Sequence, residues 1–230
     1  MFKSCHPDTS NKRVIQFWIT RLFFDHAGID KVSKLVDPET CLLERMVQMS
    51  EQRIYVRFPE EADAAELAEM NKRNRTFFEQ FSPSTPEAFY TEEHQLQLVI
   101  KSKTDRMEDR RYSFVICHKD DDRIIGSITL SFVARGPLQS CMIGYSLDQA
   151  NNGKGYMTDA VKLVVKYAFE ELKFHRIVGE VSPNNPGSIR VLEKAGFHKE
   201  GIARSNLLVN GKWEDHQVLA IINPADDNQP

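Results

Sequence analysis

Cysteine is scarce in this 230-residue chain, and Cys5, Cys41, Cys117 and Cys141 show neither CxxC spacing nor a paired framework. That pattern excludes a disulfide scaffold and a zinc-thiolate site, and it sets the expectation of reduced thiols in a cytoplasmic setting. The seven histidines show no HxxxH spacing, so no metal site is expected. An excess of positive charge is also missing: 30 Lys and Arg against 33 Asp and Glu leave a formal net charge of -3. No global field then favours nucleic acid, and no basic face is apparent. No run approaches the roughly 18 apolar residues of a membrane span. The nearest, Val14 to Phe24, is short and broken by Gln16 and Arg21, and no small-residue cleavage site follows it, so neither a span nor a secretory signal is expected. No internal repeat is visible. What is left is an ordinary globular composition, 41% hydrophobic and 27% charged, long enough for one domain with an attachment or for a tight pair.

Against that background one stretch stands out, Ile143 to Val164, which reads IGYSLDQANNGKGYMTDAVKLV. A short apolar run from Met142 to Leu147 meets a polar, glycine-bearing turn that opens into an amphipathic helix. Met157, Val161, Val164, Val165, Ala168, Phe169 and Leu172 fall on one face at steps of three and four, and Thr158, Asp159, Lys162, Lys166 and Glu170 take the other. Gly153 and Gly155 belong in the turn, because inside the helix each would cost about 1 kcal/mol relative to Ala. Strand, loop of free N–H groups and helix N-terminus in succession make a site for a phosphate-bearing ligand. Two nucleotide motifs fail there. The P-loop pattern breaks because Gly155 follows Lys154, and the dinucleotide fingerprint breaks at Thr158.

The remaining elements follow from periodicity and turn chemistry. A strand is expected over Arg53 to Phe58, a helix opened by Pro59, a short helix over Arg75 to Phe81, and a third helix over Glu87 to Arg110. Tyr112 to His118 and Arg123 to Val133 read as a hairpin around an acidic turn, and Gln139 to Leu147 as the next strand. After the central helix come a strand from His175 to Val181, a short helix from Pro186 to Ala195, and a hairpin of Phe197 to Val209 with Lys212 to Ile222 closed at Asn210-Gly211. The order implies an α/β (α+β) fold with a mixed central sheet of about six to seven strands flanked by helices.

Three segments together carry a resemblance. NNGKGYMTDA is similar to the pyrophosphate loop of the GNAT acetyltransferase superfamily, pattern Q/R-x-x-G-x-G/A, with Ala150 in the first position and Gln149 one place earlier. NNPGSIRVLEKAGFHKEG resembles its second acetyl-CoA segment in the N-x-x-S form of ribosomal-protein N-terminal acetyltransferases, and VNGKWEDHQVLAII resembles the closing hairpin of that branch. The match covers Arg53 to Ile222. It implies an acetyl-CoA-dependent N-acetyltransferase with the GNAT fold over residues 51–223, preceded by an N-terminal extension of residues 1–50 and followed by a disordered tail, 224–230.

The resemblance also implies roles. The strand Ile143 to Leu147, including Ser146 and Leu147, should splay from its neighbour and offer backbone groups to the pantetheine arm. Asn152, Gly153, Lys154, Gly155, Tyr156, Met157 and Thr158 should hold the pyrophosphate, and Asn185 should bond the pantetheine amides while also capping its helix. Ser188 is a candidate to donate to the departing sulfur, and Tyr145 lies beside the expected thioester as sheet packing or as part of the acceptor wall. Phe77, Phe78, Phe81 and Tyr90 are candidates for core or for the acceptor pocket. Two familiar groups are missing: Leu192 stands where a tyrosine is common and Met142 where a glutamate is common. A water or Glu79 is then left to act as base, and Asp215 either holds a turn or orients an amine.

A weakly equipped site suits an α-amine, pKa about 7.7 to 8.0, better than a lysine at about 10.4. The expected acceptor is therefore the N-terminal α-amine of a protein, in this branch a ribosomal protein, attacked directly in a ternary complex by a cytoplasmic monomer or homodimer. A small amine, polyamine or aminoglycoside, is the second expectation, and a non-catalytic acyl-CoA-binding module the third.

Overall fold

The structure, a computed structural model, describes residues 53–226. The N-terminal extension expected over residues 1–50 lies outside the described residues.

Alternation in RIYVRF buries Ile54 and Val56 completely and leaves Tyr55 and Arg57 partly exposed, which makes strand β1 (Ile54–Arg57). Arg57 forks onto Asp63 with contacts of 2.6 and 2.8 Å. Asp63 also accepts the Glu60 N–H at 2.7 Å, so a single 3-10 turn, Glu61–Asp63, launches helix α1 (Ala64–Arg73). The one-turn α2 (Arg75–Phe78) follows. The single helix expected over 87–110 is two pieces, because Thr91 takes an extended backbone and its hydroxyl accepts the His94 N–H at 3.3 Å. A Thr N-cap begins a helix, so Glu87–Tyr90 stands apart as a 3-10 turn and α3 runs Glu92–Met107.

Strands β2 (Tyr112–His118), β3 (Ile124–Ala134) and β4 (Ser140–Leu147) form an antiparallel meander. Helix α4 (Tyr156–Glu170) crosses back to β5 (Arg176–Val181), which lies parallel to β4. Helix α5 (Pro186–Lys194) leads to β6 (His198–Val209) and β7 (Lys212–Ile222), joined by Asn210 and Gly211 at φ 48° and 80°, the two positive values a type I′ turn requires. The seven strands order as β1-β2-β3-β4-β5-β7-β6, the mixed sheet the sequence implies. Pro224 to Asp226 form a turn, and Asp226 meets His175 Nδ1 at 2.8 Å, so the first residues of the expected tail are tied to the domain.

The two sheet faces are covered unequally. On one, α4 and α5 bury Val161, Val164 and Leu192 against Ile143, Ile177 and Leu219. On the other, α1 and α3 set Leu67, Met70 and Val99 against Val115, Cys117 and Ile124. That second cover belongs to β2 and β3, and the β4-β5-β7 end of the face fronts a cleft.

Candidate active site

The parallel pairing of β4 with β5 stops after three registers, Ser140 to Arg176, Cys141 to Ile177 and Met142 to Val178. Arg176 N–H donates to the Gln139 carbonyl at 3.2 Å, and Asp148 N–H donates the other way, to Ile125 of β3, at 2.8 Å. Backbone groups alternate sides along a strand, so Tyr145 and Leu147 present theirs toward β5 where no strand pairs with them among the described residues. This is the splay expected for Ile143 to Leu147. It opens a cleft of about 980 Å³, at the upper end of ordinary ligand sites.

The loop after β4 is clamped from α1. Arg73 grips the buried Asp148 carboxylate through Nε and Nη2 at 2.9 and 2.6 Å, and Asn74 Oδ1 accepts the Gln149 N–H at 2.9 Å. Burial pushes the Asp148 pKa up, but the Arg73 and backbone hydrogen bonds outweigh it and hold the carboxyl below its usual range. The clamp therefore stays charged at neutral pH. Asp148→Asn keeps the shape and loses the charge, and it is expected to weaken acetyl-CoA affinity about tenfold, by analogy with the loss of a charge-assisted hydrogen bond. Calorimetry against the wild type checks it.

Beyond the clamp, Gly153 and Gly155 sit at φ 76° and 85°, and a Cβ on either would meet nothing within 4 Å. Gly155 is the N-cap of α4, so the first-turn N–H groups and the positive helix end face that open space. Asn152, Gly153, Gly155, Tyr156, Met157 and Thr158 all line the cleft. Tyr156 and Met157 are 5% exposed, which leaves mainly their backbone to a ligand. The Tyr156 ring is packed by Arg53, 4.9 Å from its centroid, and its hydroxyl lies 3.3 Å from His118 Nε2. Lys154 is placed differently from the expectation: it is exposed, its ammonium bonds Asn151 Oδ1 at 3.1 Å, and it is not a lining residue. Arg53, which the motif did not include, supports the loop by donating to the Lys154 carbonyl at 3.1 Å.

At the mouth of the splay, the Tyr145 hydroxyl lies 2.8 Å from Ser188 Oγ and donates to the Ser188 carbonyl at 3.1 Å. Burial pushes the Tyr145 pKa up to about 12, with the Ser188 bond pulling weakly the other way. The phenol is thus a neutral proton donor at any working pH. Asn185 Oδ1 caps α5 by accepting the Ser188 N–H at 3.0 Å, and the residue lines the cleft, so the cap and the ligand-facing position coincide. Leu192 is fully buried over Gly179, where an added Cβ would lie 2.6 Å from Leu192 Cδ1. The helix position therefore serves as core, and the hydroxyl in this site comes from β4. Ser146 Oγ pairs with Ser127 Oγ at 3.1 Å and its backbone faces β3, whereas Leu147 is 9% exposed in the core, so of the two only Leu147 offers free backbone groups toward the cleft. Cys141, 1% exposed, has its thiol pushed up to about 12 by burial and is no nucleophile.

The sheet face that no helix covers among the described residues forms the opposite side of the cleft. Phe77, Phe78 and Phe81 line it, whereas Tyr90 does not; its hydroxyl bonds Thr85 at 2.6 Å and Glu79 at 3.2 Å. Glu79 is held there and by Arg75 Nε at 3.1 Å, which removes it from the lining set. Asp215 accepts from Ser205 N–H at 2.9 Å and pairs with Arg204, so it braces the bulge in β6. The residues that sequence reasoning missed are Glu180 and His216, both of which line the cleft.

Residues 53–198 match the family described as acetyltransferase (GNAT) domain. The Bacillus subtilis protein named probable N-acetyltransferase YjcK is 55% identical over 174 residues, covering 76% of this chain and 96% of its own. Among solved structures, ribosomal-protein-S5-alanine acetyltransferase from Vibrio fischeri shares 34% identity at TM-score 0.73, covering 78% of this chain and 97% of that one. Mycobacterium smegmatis RimJ in complex with CoA-disulfide shares 27% identity at TM-score 0.71, covering 76% and 84%.

Proposed function

This chain belongs to the GNAT acetyltransferase family, and from that premise we propose that it transfers the acetyl group of acetyl-CoA to the N-terminal α-amine of a protein, a ribosomal protein being the first candidate. The observation that carries the reading is the β4-β5-β7 face opposite α4 and α5, which no helix covers among the described residues, walled by aromatic side chains and continuous with the splay. A polypeptide end can lie there while the thioester enters from the α4 side. Tyr145 N–H, freed by the splay, is a candidate donor to the thioester carbonyl as charge develops on its oxygen. The Tyr145 and Ser188 hydroxyls then protonate the departing sulfur.

The charged residues lining the cleft are Glu180, Arg190 and Lys194. One carboxylate against two cations is a poor match for a polyamine, which favours an acceptor with a single cationic end. Gly144 lies on this face with nothing within 4 Å of an added Cβ and an ordinary backbone φ, so a side chain there fits the protein and obstructs the acceptor. Gly144→Val should lower kcat/KM for a peptide acceptor by about a hundredfold, about 2.7 kcal/mol of transition-state binding. Its acetyl-CoA affinity should stay within a few-fold.

The acceptor class is tested by incubating the protein with acetyl-labelled acetyl-CoA and a cell extract divided into protein and small-molecule fractions. Label at protein N-termini is the expected result. Label confined to small amines moves the assignment to that class, and acetyl-CoA binding without label in either fraction makes the domain a binding module.

A further inference from the structure

We propose that His216 is the base that removes a proton from the acceptor ammonium, with Glu180 holding that ammonium in place. The inference rests on the reading of the cleft as a site of amine acetylation. It answers the gap left by Met142, which brings no carboxylate to the floor of the site.

The placement follows from strand register. Gly179 pairs with Leu219 and Glu180 with Val218 across β5 and β7. Leu219 belongs to the core under α4 and α5, so Val218 and Glu180 face the other way, and His216, two residues before Val218, faces with them. Glu180 and His216 are therefore diagonal neighbours on adjacent strands, within reach of one small cation. His216 is 3% exposed and yet lines the cleft. Its Nδ1 lies 3.3 Å from the Glu214 carbonyl, an acceptor, so Nδ1 carries the hydrogen and Nε2 keeps its lone pair. Among the described residues no side chain or backbone group bonds Nε2. A buried imidazole with one nitrogen oriented by the backbone and the other unpartnered in a cleft has the arrangement of a proton acceptor.

Glu180 is held in turn: its Oε2 accepts from Asn206 Nδ2 at 2.6 Å. The other charged groups near His216 are accounted for. Glu214 and Asp215 flank it on β7, Asp215 is paired with Arg204 of β6, Glu79 beyond α2 is tied to Arg75, and Arg190 and Lys194 reach the cleft from α5. In the reaction a proton passes from the ammonium to His216 Nε2, and the freed amine lone pair attacks the thioester carbon. The C–N bond forms, the C–S bond breaks with its electron pair on sulfur, and the sulfur takes a proton from the Tyr145–Ser188 pair. The second amine proton restores that pair through solvent.

The test compares the wild type with His216→Gln in acetylation of a peptide N-terminus at saturating acetyl-CoA across a pH series. The expected result is a kcat loss of about 10² to 10⁴, the usual range for a general base, and disappearance of the acid limb of the kcat profile. Acetyl-CoA affinity and the unfolding midpoint should change little, whereas Glu180→Gln should raise KM for the peptide with a smaller effect on kcat. A His216→Gln rate within threefold of wild type, or an acid limb that persists in place, overturns the proposal. A purely structural histidine would shift the unfolding midpoint and leave the limb. Should the variant not fold, the imidazole ¹⁵N resonance of His216 in the intact protein must titrate in step with kcat, and a resonance unchanged across the limb refutes the assignment. If the wild type acetylates only a small amine, the protein-acceptor reading fails and the same comparison on that amine still decides His216. If it acetylates no amine, both fail.

Discussion

Gly155→Val should raise the dissociation constant for acetyl-CoA by at least about a hundredfold, about 2.8 kcal/mol at 1.4 kcal/mol per tenfold. Two separate causes converge on this residue. Its φ of 85° and ψ of -9° lie in the left-handed region, where a β-branched residue is strained by about 1 to 3 kcal/mol. The isopropyl group would also project into the open space in front of the α4 N-terminus, where a pyrophosphate must come close to the N–H groups. Gly155→Asn separates the two, because Asn tolerates positive φ and keeps the loop shape while filling the same space. The expectation is a folded Asn variant that binds acetyl-CoA at least tenfold more weakly, and a Val variant that binds more weakly still and unfolds at a lower temperature. Wild-type affinity in both would remove this loop from the site. Fluorescence or calorimetric titration, with a thermal scan on the same samples, decides it.

Local sequence carried much of this fold. Tyr112 to His118 and Lys212 to Ile222 begin and end in the structure where alternation places them, because each is bounded by turn residues that leave no choice. The α4 face was legible for a similar reason, since Val161, Val164 and Ala168 recur at helical spacing and are all fully buried. Thr91 was harder to read. A threonine inside a polar stretch serves as helix interior or as cap, and only the extended backbone it adopts separates the two. The site divides along the same line. Loop, cap and strand residues that line the cleft with their backbone are marked by glycine, asparagine and proline, and their position could be read directly. The face proposed for the acceptor depends on which strands pair and which helices stop short, which is long-range information. In GKWEDH, Asp215 is the residue that a motif draws attention to, and strand alternation sends Asp215 and His216 to opposite faces. Asp215 went to the β6 bulge and His216 to the cleft. The available signal was the alternation itself, Glu214, His216 and Val218 on one side, but it has no meaning until β5 is known to lie beside it.

The proton that the sulfur needs should disappear with a single oxygen atom. Tyr145→Phe keeps the ring in its packing and deletes the hydroxyl that lies 2.8 Å from Ser188 Oγ, so kcat is expected to fall by about 10² or more, the low end of what a positioned general acid contributes. Acetyl-CoA affinity should stay within a few-fold, because the backbone groups of the splay are untouched. Ser188→Ala should lower kcat less, since it removes a relay partner and leaves the phenol. The two hydroxyls act as a unit, so the double variant should be no slower than Tyr145→Phe alone, and additive losses would show that they act separately. The pH dependence has a definite sign. Burial pushes Tyr145 up to about 12, so the folded protein keeps the donor protonated through the alkaline range of an ordinary assay, and kcat should show no alkaline limb from its ionisation below about pH 10. The Ser188 hydrogen bond acts to lower that pKa, so Ser188→Ala moves it farther up and cannot create such a limb. An alkaline limb that vanishes in Tyr145→Phe would mean that the phenol ionises within the working range and acts as a base. Full kcat in Tyr145→Phe would instead assign the proton to Ser188 or to water.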